Sequence, residues 1–389
     1  MDKIRMRTKA GSINLRVTTK DGSPCEVWNG GKKIAEMQSD NWENIAVQNN
    51  AEEIIIKGYD IQELGCQYNQ LTKLNASGCT SLQNLDCQYN QLTKLNVNGC
   101  TSLQNLDCQY NQLTKLNVSG CTSLQELYCF RTQLTALDVS GCTSLQRLGC
   151  SNNQLTTLNV SGCTSLQWLG CSNNQLTTLN VSGCTSLQVL YCSSNQLTAL
   201  DIRGLTSLRT LYCSRNQLTE LNVSGLTSLQ ELSCSNNQLT TLSVSGLTSL
   251  QHLDCSSNQL TTLNASGCTS LQWLSCEHNQ LISLNASGLT SLRRLSCFRN
   301  QLTALDVSGC TSLQWLYCEY SPFTAEDLKK IFEDLPERKE KDGGVLLYKD
   351  GDSNYKDFTQ PPELAAAFKA AKAKGWRLYK INNDDLMEL

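Results

Sequence analysis

The 389-residue chain has two histidines, no C-x-x-C pair, no excess of positive charge and no long apolar run. Each shortage closes off a class of function. A Ser/His/Asp or Cys/His centre would have to use His252 or His278, both at variable positions, and no nucleophile elbow or phosphate loop accompanies them. No catalytic residue is assigned, and the chain is expected not to be an enzyme. Successive cysteines lie 13 and 8 apart, which is not zinc-ligand spacing, so neither a metal nor a cofactor is expected. The net charge is −3 and the balance is even throughout: nine Lys/Arg against nine Asp/Glu in 1–60, eleven against twelve in 61–323, twelve against fourteen in 324–389. A nucleic-acid partner would need a basic footprint, and none is present. Nothing approaches the run of about 18 apolar residues of a membrane span. The opening MDKIRMRTKAGS has charge but lacks the apolar stretch of an export signal. The expected location is cytoplasmic, with export or the cell surface as the alternative.

Cysteine, by contrast, is abundant: there are 22, and their spacing is regular. Thirteen recur every 21 residues from Cys66 to Cys318, and eight more (Cys79, Cys100, Cys121, Cys142, Cys163, Cys184, Cys268, Cys310) hold a second column. In that second column Leu205, Leu226, Leu247 and Leu289 take the place of Cys. A site that accepts Leu wants a medium apolar group, and a buried thiol serves as one. Disulfides between rungs are disfavoured, because parallel side chains in one packed column do not readily adopt the required dihedral. So many free thiols fit a reducing compartment.

The repeating unit reads LQxLxCSxNQLTxLNVSGCTS, from about Ile61 to Phe323. Leu82, Leu85, Cys87, Asn90 and Leu92 spell L-x-x-L-x-C-x-x-N-x-L, which resembles the leucine-rich repeat family. The phrases GLTSLQ (Gly225 to Gln230) and NQLT (Asn237 to Thr240) are further similar to internalin-like and Bacteroides-type bacterial repeats. The resemblance implies a leucine-rich repeat solenoid of the α/β repeat class, mostly β. It would be a curved parallel sheet of about 13 coils with extended segments on the opposite face, a β N-cap and an α/β C-cap, acting as a binding scaffold without catalysis.

The residues support this independently. Leu85 and Cys87 alternate about Asp86 with the period of a half-buried strand. The recurrent Asn, from Asn69 to Asn300, falls where the chain turns out of that strand, where its donors and acceptor can satisfy unpaired amides. Thr132 and Ser321 break this column: Thr132 should weaken one rung, and Ser321 with Pro322 marks the end of the array. Leu92, Leu95, Val97 and Cys100 repeat the pattern within itself, as in a nested bacterial subclass, so a second extended run is expected on the opposite face.

A solenoid exposes an apolar cross-section at each end and needs caps. The expected domains are therefore a β cap over 1–60, repeats over 61–323 and an α/β cap over 324–389. Ile4, Met6, Ile13, Leu15, Val17 and Ile54 to Ile56 alternate as strands between the Asp21-Gly22 and Gly30-Gly31 turns. Residues 324–389 carry 26 charges in 66 residues, against 23 in the 263 repeat residues. They read as a capped helix (Thr324 to Leu335), a strand (Gly343 to Tyr348), a helix opened by Pro362 and ended near Gly375, and a strand through Leu378 and Ile381. This tail, with Gly375-Trp376, resembles the C-terminal caps of related bacterial repeat proteins.

Between Leu64 and Ser321 every aromatic residue occupies one of four columns that flank the strand Leu or follow the Cys, and alternation turns the flanking ones away from the core. Aromatic residues and Arg make binding hot spots. The first candidate partner-binding group is Trp273, Arg294, Phe298, Arg299, Trp315, Tyr317 and Tyr320, with sealing of the sheet against the C-terminal cap as the competing reading. The second is Tyr128, Phe130, Arg131 and Arg147, and Trp168, Tyr191 and Tyr212 complete the set. Tyr68, Tyr89 and Tyr110 either join it or merely stack. Ser151, Ser172, Ser193, Ser214, Ser235 and Ser256 suggest a small-residue floor. The expected function is protein binding through the concave strand face; glycan binding and surface display are the alternatives.

Overall fold

The computed structural model describes residues 1–48, 52–338, 343–349, 351–383 and 385–389. The chain divides into two compact units, Met1–Leu197 and Thr198–Leu389.

In the first unit, six strands precede the repeats: Asp2–Thr8, Ser12–Thr19, Cys25–Asn29, Lys32–Met37, Trp42–Ala46 and Ile54–Gly58. Two of them cover the exposed end of the solenoid. Ser12–Thr19 runs antiparallel to Ile61–Gly65, the first front strand, and Asp2–Thr8 runs antiparallel to Leu71–Asn75 at the rear. Front strands of the xLx type then follow at each coil, from Asn84–Asp86 to Val189–Tyr191, paired in parallel with the leucines in register. The second unit repeats this from Thr210–Tyr212 to Trp315–Tyr317. Its front sheet continues through Gly344–Lys349 and Arg377–Asn382, both parallel, to an antiparallel Asp385–Glu388 that alternation in the sequence did not reveal. Helices α1 (Ala325–Asp334) and α2 (Pro362–Ala373) pack on each other. α1 opens on a reciprocal capping box between Thr324 and Asp327.

The second half of each unit is extended, as expected, but its rear strands are short and pair intermittently, for example Thr157–Asn159 with Thr178–Asn180 and Thr241–Ser243 with Thr262–Asn264. The solenoid is therefore almost entirely β, because a 21-residue coil has no room for a helix on its back.

Both cysteine columns are buried and none of the 22 cysteines is in a disulfide. Burial pushes up the thiols on both columns, Cys150 in the front one and Cys142 in the rear one to about 12, so these remain protonated and inert. Rear-column thiols also donate to the preceding coil: Cys268 Sγ lies 3.0 Å from the Val244 carbonyl and Cys310 Sγ 3.1 Å from that of Ala286. Leu289 fills the same column without a donor, so packing is what the column requires and the S–H bond is secondary.

The asparagines tie coil to coil. Asn90 Nδ2 donates to the carbonyls of Cys66 and Cys87 at 3.0 Å each, and its Oδ1 accepts from the Asn69 and Leu71 amides at 2.9 Å. Thr132 keeps its bond to Cys129 O (2.9 Å), but its hydroxyl arm is too short to span to the earlier coil as Asn does. At Ser321 the missing Asn is replaced from outside the array. Buried Asn354 donates to Leu347 O at 2.7 Å and Cys318 O at 3.4 Å, and accepts from the Phe323 amide.

Candidate functional site

The residue before each position of this column, Thr132 and Ser321 included, turns the chain. From Tyr68 to Tyr320, all thirteen have a φ between 51 and 60°, the left-handed region. Asn152, Asn173 and Asn236 suit that conformation, whereas Tyr, Arg or His there costs about 1 kcal/mol. Ring stacking offsets that cost for the first three: Tyr68, Tyr89 and Tyr110 lie with centroids 4.7 and 4.4 Å apart. Arg131 sits over Tyr110 at 5.4 Å and Arg299 over Tyr320 at 4.9 Å.

On the front of the first unit the rings pack on one another and on bare backbone. Tyr128, Phe130, Trp168 and Tyr191 form a continuous run with centroid separations of 6.0, 6.2 and 6.1 Å. A Cβ on Gly149 would stand 2.1 Å from Phe130 Cζ, and one on Gly170 would stand 2.6 Å from Trp168 Cη2. A side chain at either place would push the ring off the strand on which it lies. Acids here also have partners: Arg147 reaches Glu126 at 3.4 Å, Asn84 reaches Glu63 at 3.1 Å and Gln109 reaches Asp107 at 3.0 Å. What remains open beside Tyr128, Arg147 and Trp168 is a hollow of about 300 Å³.

The second unit carries a groove of about 690 Å³ on the front of its own strands. Tyr212 and Tyr317 stand at its ends in the column after the strand Leu, with Ser233, Asp254, Ser275 and Ser296 between them as the floor. The small-residue floor is thus in this column; the serine column after the Cys, including Ser235 and Ser256, does not line the groove. Trp273, 53% exposed, and Phe298 stand over the floor from either side. Arg294 lies against two rings, 5.3 Å from Trp273 and 4.7 Å from Tyr317. His252 meets Trp273 edge-on at 6.0 Å, and Glu231 and Glu277 complete the lining.

The groove gathers Tyr212, Trp273, Arg294, Phe298 and Tyr317 from the sequence candidates. Trp315, Arg299 and Tyr320 belong elsewhere. Trp315 stacks on Tyr379 of the C-terminal strand at 6.1 Å, and the Tyr320 amide donates to Asp352 at 2.5 Å, so these two help to close the sheet. Sequence reasoning passed over the groove's acids. The signal was present: Glu231, Asp254 and Glu277 follow at 23-residue steps, one coil and two strand positions each, which is a diagonal across one face. Beyond the groove, burial pushes the Glu319 carboxyl up to about 7, aided by the charges of Asp352 and Glu277. No group of three or more His, Cys, Asp or Glu side chains among the described residues could hold a metal ion. No helix among them is long and apolar enough to cross a membrane.

Residues 164–203, 185–226 and 227–267 match the family model for leucine-rich repeats in two copies. No curated protein matches the chain. Among solved structures, the functional domain of InlJ from Listeria monocytogenes, which includes a cysteine ladder, is 30% identical with a TM-score of 0.56, over 80% of this chain and 76% of that one. A leucine-rich repeat protein of Leptospira interrogans is 28% identical with a TM-score of 0.58, over 74% of this chain and 84% of that one. The internalin InlF from Listeria monocytogenes is 26% identical with a TM-score of 0.53, over 65% and 82%. Proteins with this repeat typically serve as protein-interaction scaffolds and not as enzymes. The cysteine ladder, the asparagine ties and these likenesses agree: the chain belongs to the leucine-rich repeat family, in its internalin-like bacterial form.

Proposed function

We propose that the chain is a non-catalytic scaffold that binds a protein partner on its strand face, through the groove of the second unit. The observation that carries this reading is an open groove of about 690 Å³, walled by exposed Trp273 and half-buried Phe298 over a floor of Ser233, Asp254, Ser275 and Ser296. In the first unit comparable rings are spent on packing. Rings and Arg294 held on a stacked sheet lose little freedom on binding, and affinity gains from that preorganisation. The inert thiols suit a reducing location such as the cytoplasm, and the reading keeps the division into a cap over 1–60, repeats over 61–323 and a cap over 324–389.

The test is capture of partners by wild type and by Trp273→Ala/Phe298→Ala, followed by titration of the captured protein. Its affinity should fall more than tenfold in the variant while thermal unfolding stays nearly unchanged; equal affinity would remove the groove from consideration. Exposed Trp273 beside Asp254 also suits the face of a sugar, so binding on a glycan array with no protein captured would transfer the site to carbohydrate.

A further inference from the structure

The groove's charge and geometry say more about its occupant, on the reading that the groove is the binding site. Its lining holds three carboxylates, Glu231, Asp254 and Glu277, against one cation, Arg294. No described Lys or Arg lies within 4.0 Å of the three acids, in contrast to Glu126 with Arg147 in the first unit. Their bonds come from hydroxyls and one backbone amide. Tyr212 donates to Glu231 at 2.5 Å, the Ser256 amide and hydroxyl to Asp254 at 3.1 and 2.6 Å, and Ser275 to Glu277 at 3.4 Å. Glu277 Oε2 is buried without a hydrogen-bond partner among the described residues.

The three acids form the diagonal described above. With strands about 4.8 Å apart and about 3.4 Å per residue along each, successive acids stand about 8 Å apart. Side chains on one face of an extended peptide recur at about 7 Å, close enough for flexible Lys or Arg arms to match. We infer that the groove takes an extended segment of a partner protein bearing basic side chains at alternate positions, laid obliquely across the sheet so that each cation meets one carboxylate. Trp273 and Phe298 both stand on one side of that line, toward the following coils, and cover the apolar stems of those side chains, while Arg294, paired with Trp273 across the sheet, disfavours a cation at the Trp273 edge and so favours the diagonal path.

The test is a random-heptapeptide display selection on the full chain, with counter-selection on Glu231→Gln/Asp254→Asn/Glu277→Gln. This variant keeps the shape and hydrogen-bonding capacity of the site and removes the charge. Recovered peptides should carry Lys or Arg at alternate positions, bind the triple variant at least tenfold more weakly, and weaken as salt rises. Peptides without basic residues, or held equally by the triple variant, would overturn the inference. Recovery of no peptide while a neutral oligosaccharide binds would overturn it in favour of a sugar. Because the triple variant retains Trp273 and Phe298, a partner that needs those rings but not the acids would sink this inference and leave the scaffold reading standing.

Discussion

The two units carry the same repeat and use their rings in opposite ways. In Met1–Leu197 the rings lie down: Phe130 occupies the space over Gly149, Trp168 that over Gly170, and the acids are paired with Arg147, Asn84 or Gln109. In Thr198–Leu389 the matching floor positions are Ser233, Asp254, Ser275 and Ser296, where no glycine leaves room for a ring to lie on the backbone, and a groove stands open between Trp273 and Phe298. A glycine-to-serine difference in one column therefore separates a face that satisfies itself from one that has room for something else.

The largest effect that would sharpen this comparison is on stability. Phe130→Ala should cost about 2 kcal/mol, because it opens the space over Gly149, whereas Trp273→Ala should cost under about 0.5 kcal/mol because much of that ring faces water. Thermal unfolding of the two variants checks this, and equal losses would erase the distinction. Next, Thr132→Asn should restore the missing tie between coils and raise stability by about 1 kcal/mol, as a shift in denaturant midpoint; no gain would mean that Thr132 already meets the needs of that rung. A pH-dependent effect concerns Glu319, whose carboxyl burial pushes up from 4.5 to about 7. The folded state then holds its proton to higher pH than the unfolded state, so stability falls as pH rises through that interval. Glu319→Gln should raise the melting temperature by about 2 °C at pH 8 and leave it unchanged at pH 4.

The fold was legible in the sequence because a solenoid repeats its constraints. Each column of Leu, Cys or Asn states one packing or hydrogen-bonding need many times over. The caps were less legible, since each occurs once: Trp42–Ala46 and Asp385–Glu388 pass without a clear alternation, and Asn354 completes the last rung from 33 positions beyond Ser321, where no spacing rule looks. At the site, column position identified the rings but not their posture. Whether a ring lies down or stands depends on its neighbour across the sheet, as with Phe130 and Gly149, and that neighbour is 19 residues away. The left-handed column was signalled by Asn152, Asn173 and Asn236, yet hidden by the Tyr, Arg and His that share it.

Hydroxyl-radical footprinting of the chain, free and with a captured partner, tests the central claim most directly. Trp273, Phe298 and Tyr317 should become protected, while Tyr68, 68% exposed in the free chain, and Trp168 keep their reactivity. Protection of Tyr68, Tyr89 and Trp168 with Trp273 still reactive would contradict the account and place binding on the face assigned here to packing.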